Sequence, residues 1–259
     1  MKRFFLLWLK YTLNSFSSAI YSRFGAGLFL FAKLLRFLLF FLFLFILQKS
    51  TKVLIDYTAN QVIFFYLVFN LIDTLTQLLF REVYRFRQKV VRGDFDLDLV
   101  QPINPLFKAL AGGADLLDLF MLIPSIFLLF YFGAQLTFAS FSLFVFLLLF
   151  INGLVIATSF HILVLALGVL TTEVDHAIMI YRDLTNVGRV PIDIYQEPIR
   201  SFFTFVIPVG IMVTFPPKAL FGLLSTPVVL ISLLFGVLFF GGSLLLWRYS
   251  LTQYASASS

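Results

Sequence analysis

The residues of this chain that are most able to form ion pairs lie in one polar stretch, REVYRFRQKVVRGDFDLDLVQPINPLF, at positions 81–107. Apolar segments flank this stretch on both sides, so we expect a soluble partner to dock on it. A calcium-binding loop would need more oxygen ligands and a glycine near its sixth position, so the acids do not predict a calcium site. Basic residues come first and acids follow: Arg81, Arg85, Arg87, Lys89, Arg92, Asp94, Asp96 and Asp98.

A second set of polar side chains interrupts the apolar segment at 60–80. Asn70, Asp73, Thr74 and Gln77 are spaced by three and four residues, which places them on one face of a helix. Polar groups inside a membrane helix are functional hypotheses by default, because placing them in lipid is costly. Hydrogen bonding between helices explains such residues equally well. The face could therefore line a translocation pathway, seal a dimer interface, or simply hold helices together.

The amino-acid composition indicates what kind of helices hold these residues in place. Hydrophobic residues make up 61% of the 259 positions and charged residues 12%, whereas soluble domains average about 45–50% and about 25%. We therefore predict an integral membrane protein. The net charge of +6 favours contact with anionic lipid head groups over binding of nucleic acid. Residues 1–27 begin with basic residues and an apolar run but lack a small-residue cleavage site, so we expect an amphipathic interfacial helix.

Five apolar segments are long enough to cross a bilayer of about 30 Å at 1.5 Å per residue. Lys and Arg concentrate before position 37 and within 81–108, which predicts that both regions are cytoplasmic. Arg248 follows the last segment and places the C-terminus on the same side. The predicted spans are about 28–48, 60–80, 116–133, 141–170 and 227–248.

Both termini on one side require an even number of crossings, so a sixth must lie between 171 and 227. The segment 201–215 is apolar but short, and Pro208 interrupts it. The segment 172–190 carries several charges, and a charge at the bilayer centre costs about 2.5–3.5 kcal/mol on insertion scales. Hydropathy alone therefore favours 201–215.

The chain carries no sign of its own catalytic machinery. It has no Gly-x-x-x-x-Gly-Lys-Ser/Thr loop, since Gly112 and Gly113 are followed by Ala114 and Asp115. It has no Cys and only two His, and we interpret His161 as a hydrogen-bonded structural residue. We therefore expect no catalytic residue, no metal site and no cofactor bound by this chain. Any ATP-driven work would have to come from a partner.

Two stretches resemble a known family. RGDFDLDLVQPINPLF, at 92–107, resembles a signature of ABC-2 type transporter permeases, in which Pro-x-(Asn/Ser)-Pro-Leu-Phe follows a basic residue, Gly and an acid. GRVPIDIYQEPIRSFFTFVIPVGIMVTFPPKALFG, at 188–222, is similar to a second stretch of that family, with its Pro-x-x-Ile-Tyr, its Thr-Phe-Val-Ile-Pro-Val run and its Phe-Pro pair. The resemblance covers nearly the whole chain.

The resemblance implies an all-α fold with a single permease domain over 1–259 and six transmembrane helices. It implies a cytoplasmic coupling helix between spans 2 and 3, within 81–115, and a re-entrant extracellular hairpin between spans 5 and 6, within 191–222. On this pattern 172–190 is the fifth span, and Asp175 and His176 join the candidate pathway residues. The residues expected to couple to an ATPase are Arg92, Gly93, Asp94, Asp96, Asp98, Pro102, Asn104, Pro105 and Phe107.

The resemblance also implies an ATP-driven exporter. Two permease subunits, identical or related, would form the pathway, and two separate ATPase subunits would hold ATP and Mg. The expected location is a bacterial-type cytoplasmic (inner) membrane, with many crossings, lipid contacts and both termini cytoplasmic. A secondary active transporter driven by an ion gradient is an alternative, with Asp73 as its one candidate coupling acid, and an intramembrane enzyme is another. The substrate is not predicted, although Arg189 and Arg200 suit either lipid phosphates, an anionic substrate or simple anchoring at the interface.

Overall fold

The computed structural model describes residues 2–20, 23–50, 57–171 and 177–255 of the chain. Within those ranges the chain is helical and contains no strand, which confirms the predicted all-α class. The long helices begin and end within a few residues of the predicted apolar segments. The α-helices are α1 Lys2–Ile20, α2 Arg23–Ser50, α3 Ala59–Leu79, α4 Val83–Arg92, α5 Asp94–Leu99, α6 Pro105–Ala111, α7 Leu116–Gly133, α8 Ser140–Leu170, α9 Ala177–Asn186, α10 Ile199–Ser201, α11 Phe215–Leu220 and α12 Thr226–Gln253.

Local sequence signals fix several helix borders. The Gln61 side chain accepts a hydrogen bond from the Thr58 backbone N–H at 2.8 Å, as expected for the start of α3. Asn104 accepts hydrogen bonds from the N–H groups of Leu106 at 2.9 Å and Phe107 at 3.3 Å, which caps α6. Gly93 has φ 77°, a left-handed conformation that glycine adopts without steric cost, and it separates α4 from α5.

Two apolar clusters hold the helices together, one at each end of the bundle. The first cluster is centred on α3 and includes Phe65, Leu67 and Met212. The second is built around Phe86 and Trp247, where α4, α5 and α6 meet the C-terminal halves of α8 and α12. We call this second region the basic end, because α4 carries a cluster of Arg and Lys residues. The opposite region, where α3, α8 and α12 begin, is the far end.

The chain passes from the basic end to the far end between positions 177 and 193. Ile178 and Tyr181 of α9 belong to the apolar cluster of the basic end. Asp193 accepts a hydrogen bond from the Tyr57 hydroxyl at 2.8 Å, just before α3 begins at the far end. Short 3₁₀ turns, Val187–Arg189 and Ile192–Ile194, connect the two. A segment that crosses the membrane at 172–190 must pass in this way from the basic end to the far end.

The following segment starts and finishes at the far end. Its two helical pieces, Ile199–Val206 and Gly210–Leu220, meet at an angle of 82° around Pro208. At its finish, the Phe221 ring lies 5.5 Å from the ring of Phe65 in the first turns of α3. A piece of chain that leaves and rejoins the same end of a bundle fits the expected hairpin better than a crossing at 201–215.

Several helices are long and apolar enough to cross a membrane. By length and composition there are four in the described part of the chain, or five if the bent pair counts as one span. A shorter apolar helix, Leu117–Gly133, accompanies them. The protein is therefore a multi-pass membrane protein, and the number of six crossings stays a prediction. The four longer helices are Phe24–Ile46, Ala59–Arg92, Ser140–Leu170 and Thr226–Gln253.

Candidate functional site

The charged stretch at the basic end folds into three short helices, and the middle helix, α5, is anchored by a buried aromatic side chain. Phe95 of α5 is completely buried. Its ring lies 5.0 Å from that of Phe86 in α4, 6.3 Å from that of Trp247 in α12, and 5.3 Å from that of Tyr254. Burial, and after it the neighbouring carboxylate of Asp96, raise the pKa of Tyr254 to about 12. Because α5 is packed on α4 and α12, we expect it to move together with them.

The three acids of α5 have different surroundings. Asp94 is exposed and Asp96 is partly exposed. Asp98 is 7% exposed, and its carboxylate pairs with Lys108 of α6 at 2.5 Å and with Lys89 of α4 at 3.8 Å. The expectation that all three acids are available to a partner is therefore wrong for Asp98. Its carboxylate instead joins the three short helices to one another.

Apolar side chains accompany the exposed acids on the surface of α5. Leu97 is 62% exposed, and Val100, directly after the helix, is 80% exposed. Val91 of α4 is also exposed, at 51%. Sequence reasoning did not assign a role to these residues, of which only Leu97 alternates with the acids along the chain. Together with Asp94 and Asp96 they form a surface that we call the α5 platform.

The remaining residues of the motif shape the chain around the platform. Gly93 supplies the left-handed turn before α5. Asn104 caps α6, and Pro105 is the first residue of that helix. Pro102 and Arg92 are exposed, and Phe107 is half-buried. The structure thus brings all nine predicted coupling residues into one compact region at the basic end.

The four polar residues of α3 lie on one cavity. Asn70, Asp73, Thr74 and Gln77 all line a small space of about 30 Å³ between α2, α3 and α7. The Gln77 side-chain amide donates a hydrogen bond to the Asp73 carboxylate at 2.8 Å. Asp175 and His176, which were expected to join this set, lie outside the described residues.

Basic side chains line the same cavity. Lys33 and Arg36 of α2 reach it from one side and Arg189 from another. Lys33 forms an ion pair with Asp118 of α7. The sequence does not indicate that Arg189 lies beside Lys33 and Arg36, because only the fold brings positions so far apart together. We call this space the polar cavity.

Polar residues inside α8 are structural. His161 is 1% exposed, its Nδ1 lies 2.8 Å from the carbonyl oxygen of Ala157, and the rings of Phe80 and Tyr181 flank it. This agrees with its interpretation as a hydrogen-bonded structural residue. Asn152 donates to the carbonyl of Ser232 in α12 at 2.9 Å. In the part of the chain that the structure describes, no group of three or more His, Asp and Glu is arranged to hold a metal ion.

A larger cavity, of about 560 Å³, lies at the far end beneath the bent pair. Asp193 sits on its wall and is shared by three partners. Besides Tyr57, it pairs with Arg200 at 2.7 Å and with Lys218 at 3.0 Å. Arg200 and Lys218 belong to the two halves of the bent pair, so this carboxylate fixes both halves to the start of α3.

Comparison with known proteins gives one positive result. The family described as ABC-2 family transporter protein matches residues 34–258, which include α3 to α12 and most of α2. No curated protein matches the chain, and no solved structure matches it. The match includes both quoted motifs, the α5 platform and every residue named on the polar cavity except Lys33. On this evidence of sequence and fold together, the chain belongs to the ABC-2 transporter family.

Proposed function

We propose that this chain is the permease subunit of an ATP-driven ABC-2 type exporter. It forms the translocation pathway as a dimer, with an identical or a related permease, and two separate ATPase subunits drive it. ATP and Mg bind to those partners, because this sequence lacks a phosphate-binding loop. Family membership supports the transport role, and the α5 platform is the observation that carries the coupling to a partner.

The platform suits a transmission role because it is exposed on one side and fixed on the other. Asp94, Leu97 and Val100 face outward and offer both charge and apolar area to a partner. Phe95 fixes the helix to the cluster that contains Trp247 of α12 and Leu165 of α8. Packed interiors transmit displacement, so a push on α5 would tilt α8 and α12 together.

The topology that we propose has six crossings, with both termini cytoplasmic, in a bacterial-type inner membrane. The fifth crossing is 172–190, and 191–222 is a re-entrant hairpin on the outside. Two observations support this arrangement, namely the course of 177–193 between the two ends and the return of Phe221 to α3. Irregular backbone at membrane depth is tolerated when protein buries it, as it does for Gly210–Thr214. The excess of Lys and Arg at the basic end makes that end cytoplasmic.

The polar cavity is the part of the pathway that we assign to this subunit. Its lining comes from α2, α3, α7 and the turn after α9, which are separate crossings in the proposed topology. Asp73 is hydrogen-bonded to Gln77 within this lining, so its carboxylate has a structural partner. Rigid tilting of α8 and α12 against these helices would open or close the lining.

Co-purification tests the proposed function. The tagged permease is extracted in mild detergent from its native membrane, and its partners are identified by mass spectrometry. We expect a protein with a Gly-x-x-x-x-Gly-Lys-Ser/Thr loop, and we expect its yield to fall when both Asp94 and Asp96 are changed to Arg. The matched control is Glu197→Arg, an exposed acid that lies outside both the platform and the proposed crossings. Transport driven by an ion gradient in vesicles that contain no ATPase would contradict the proposal.

A further inference from the structure

We propose that Arg36 and Arg189 bind the oxyanion head group of an amphiphilic substrate. This inference rests on the proposed function, because it names the class of molecule that the permease moves. The site lies where the polar cavity meets a second, larger cavity that leads to the basic end.

The charges around the polar cavity do not balance within the protein. Lys33, Arg36 and Arg189 face it together with two acids, Asp73 and Asp118. Asp118 pairs with Lys33, and Asp73 accepts a hydrogen bond from Gln77. Among the residues that the structure describes, neither Arg36 nor Arg189 forms an ion pair. The three cations exceed the two carboxylates by one, so one positive charge of the Arg36 and Arg189 pair has no counter-charge in this lining.

The surroundings of Arg189 keep its hydrogen-bond donors available. Its guanidinium carbon lies 5.5 Å from the centre of the Phe40 ring, so an aromatic face stabilises its charge. Contact with a ring occupies the face of the guanidinium and leaves the N–H groups in its plane free to bind an anion. Arg189 is half-buried and Arg36 is exposed, and both line the polar cavity, so an anion in it can contact both guanidinium groups.

The adjoining space is large enough for a head group and is also basic. It has a volume of about 310 Å³ and shares Lys33, Arg36 and Gln77 with the polar cavity. Arg81 and Arg182 line it further toward the basic end. Arg182 lies over the Tyr84 ring at 5.9 Å. An oxyanion that approaches from the basic end therefore meets Arg182 and then Arg36, whereas Arg81 and Lys33 are paired with Asp115 and Asp118.

The neighbourhood of Arg36 indicates that the anion belongs to an amphiphile. On α2 the side chains next to Arg36, Leu35 and Leu39 among them, are 42% and 57% exposed. An apolar tail can lie along this helix in the lipid while the head group reaches the two arginines. Arg pairs with phosphate in a bidentate fashion, so a phosphate head group matches the site best.

Native mass spectrometry of the purified permease tests the site. The probe is dihexanoyl phosphatidic acid, titrated in a non-ionic detergent. We expect Arg36→Gln and Arg189→Gln each to weaken binding about tenfold or more, because each removes a charge-assisted hydrogen bond. The matched control is Arg248→Gln, which removes an exposed arginine at the end of α12 and leaves binding unchanged. If Arg248→Gln weakens binding to the same extent, the assignment of the site to Arg36 and Arg189 is wrong.

Two further binding measurements test whether the site requires a charged head group and whether it requires an apolar tail. Dihexanoyl phosphatidylcholine, which has no net charge, should bind much more weakly, and equal binding would overturn the role of charge. Inorganic phosphate should not displace the lipid at equal concentration, and full displacement would overturn the assignment to an amphiphile. ATPase co-purification is measured on the same preparations. If the ATPase co-purifies while wild-type protein binds no phosphatidic acid, this inference fails and the proposed function stands.

Discussion

Asp94 and Asp98 are the same residue type, one helical turn apart in α5, and they do different work. Asp94 faces solvent, whereas Asp98 joins α4, α5 and α6 through Lys89 and Lys108. Their regular alternation with apolar residues hides this difference in the sequence. At the scale of the residue, the motif therefore contains both an outward surface and the ion pairs that hold it in shape.

The pair gives a matched test of stability. Asp98→Asn leaves Lys108 without its buried counter-charge, while Lys89 keeps its ion pair with Glu82 at 2.6 Å, and we expect the change to lower the free energy of unfolding by about 3 kcal/mol. Asp94→Asn removes an exposed charge and should change stability by less than about 0.5 kcal/mol. Thermal unfolding in detergent, followed by tryptophan fluorescence, compares the two. Equal melting temperatures for the two variants would contradict the structural role of Asp98.

At the scale of the element, α8 and α12 form the main helix pair of the bundle. Gly236 of α12 lies against the side chain of Asn152, which in turn bonds the carbonyl of Ser232. A β-carbon at position 236 would collide with the Asn152 amide. Small residues and polar side chains are what allow membrane helices to approach closely, because apolar area gives them no advantage over lipid.

Gly236→Ala should therefore destabilise the protein. Overpacking of a well-packed contact costs about 1–3 kcal/mol. Gly242 lies on the same helix with open space around its α-carbon, so Gly242→Ala should be neutral or stabilising by up to about 1 kcal/mol. The melting temperature of each purified variant measures the effect. A destabilisation by Gly242→Ala as large as that by Gly236→Ala would show that the contact with Asn152 is not the cause.

The bent pair at 199–220 predicts a definite side of the membrane. Because the chain has no Cys, a single cysteine can be placed at an exposed position and labelled. Gln196→Cys, before the bent pair, should react with a membrane-impermeant maleimide added to whole cells. Gln101→Cys, after α5, is the matched control and should react only after the cells are opened. Protection of position 196 in whole cells, with labelling in opened cells, would show that 172–190 is not a crossing.

Across the whole molecule, the sequence predicts where the helices begin and end better than it predicts which helices pack against one another. Apolar length and the periodic placement of polar residues are local properties, so α3, α7 and α8 could be predicted almost to the residue, whereas α12 continues five residues beyond the predicted span. The face of α3 that carries Asn70 to Gln77 could be predicted for the same reason.

Long-range contacts could not be predicted in this way. Arg36 and Arg189 share a cavity although 152 residues separate them, and nothing local to either position records the other. The burial of Asp98 and the anchoring of Asp193 to Tyr57 also depend on helices packing side by side. The hairpin within 191–222 and the fifth crossing at 172–190 were predicted from the resemblance to a family. Hydropathy alone favours 201–215 as the crossing.

We propose that an ATPase drives this protein by contact with the α5 platform. Photocrosslinking at the platform detects that contact. A photoreactive amino acid replaces Leu97, and the complex is irradiated in native membranes. A second variant carries it at Leu245, which is 66% exposed on α12 and lies outside the platform. We predict that position 97 crosslinks to a protein with a phosphate-binding loop and that position 245 does not. Crosslinking of position 97 only to lipid, or to a protein without such a loop, would contradict the account.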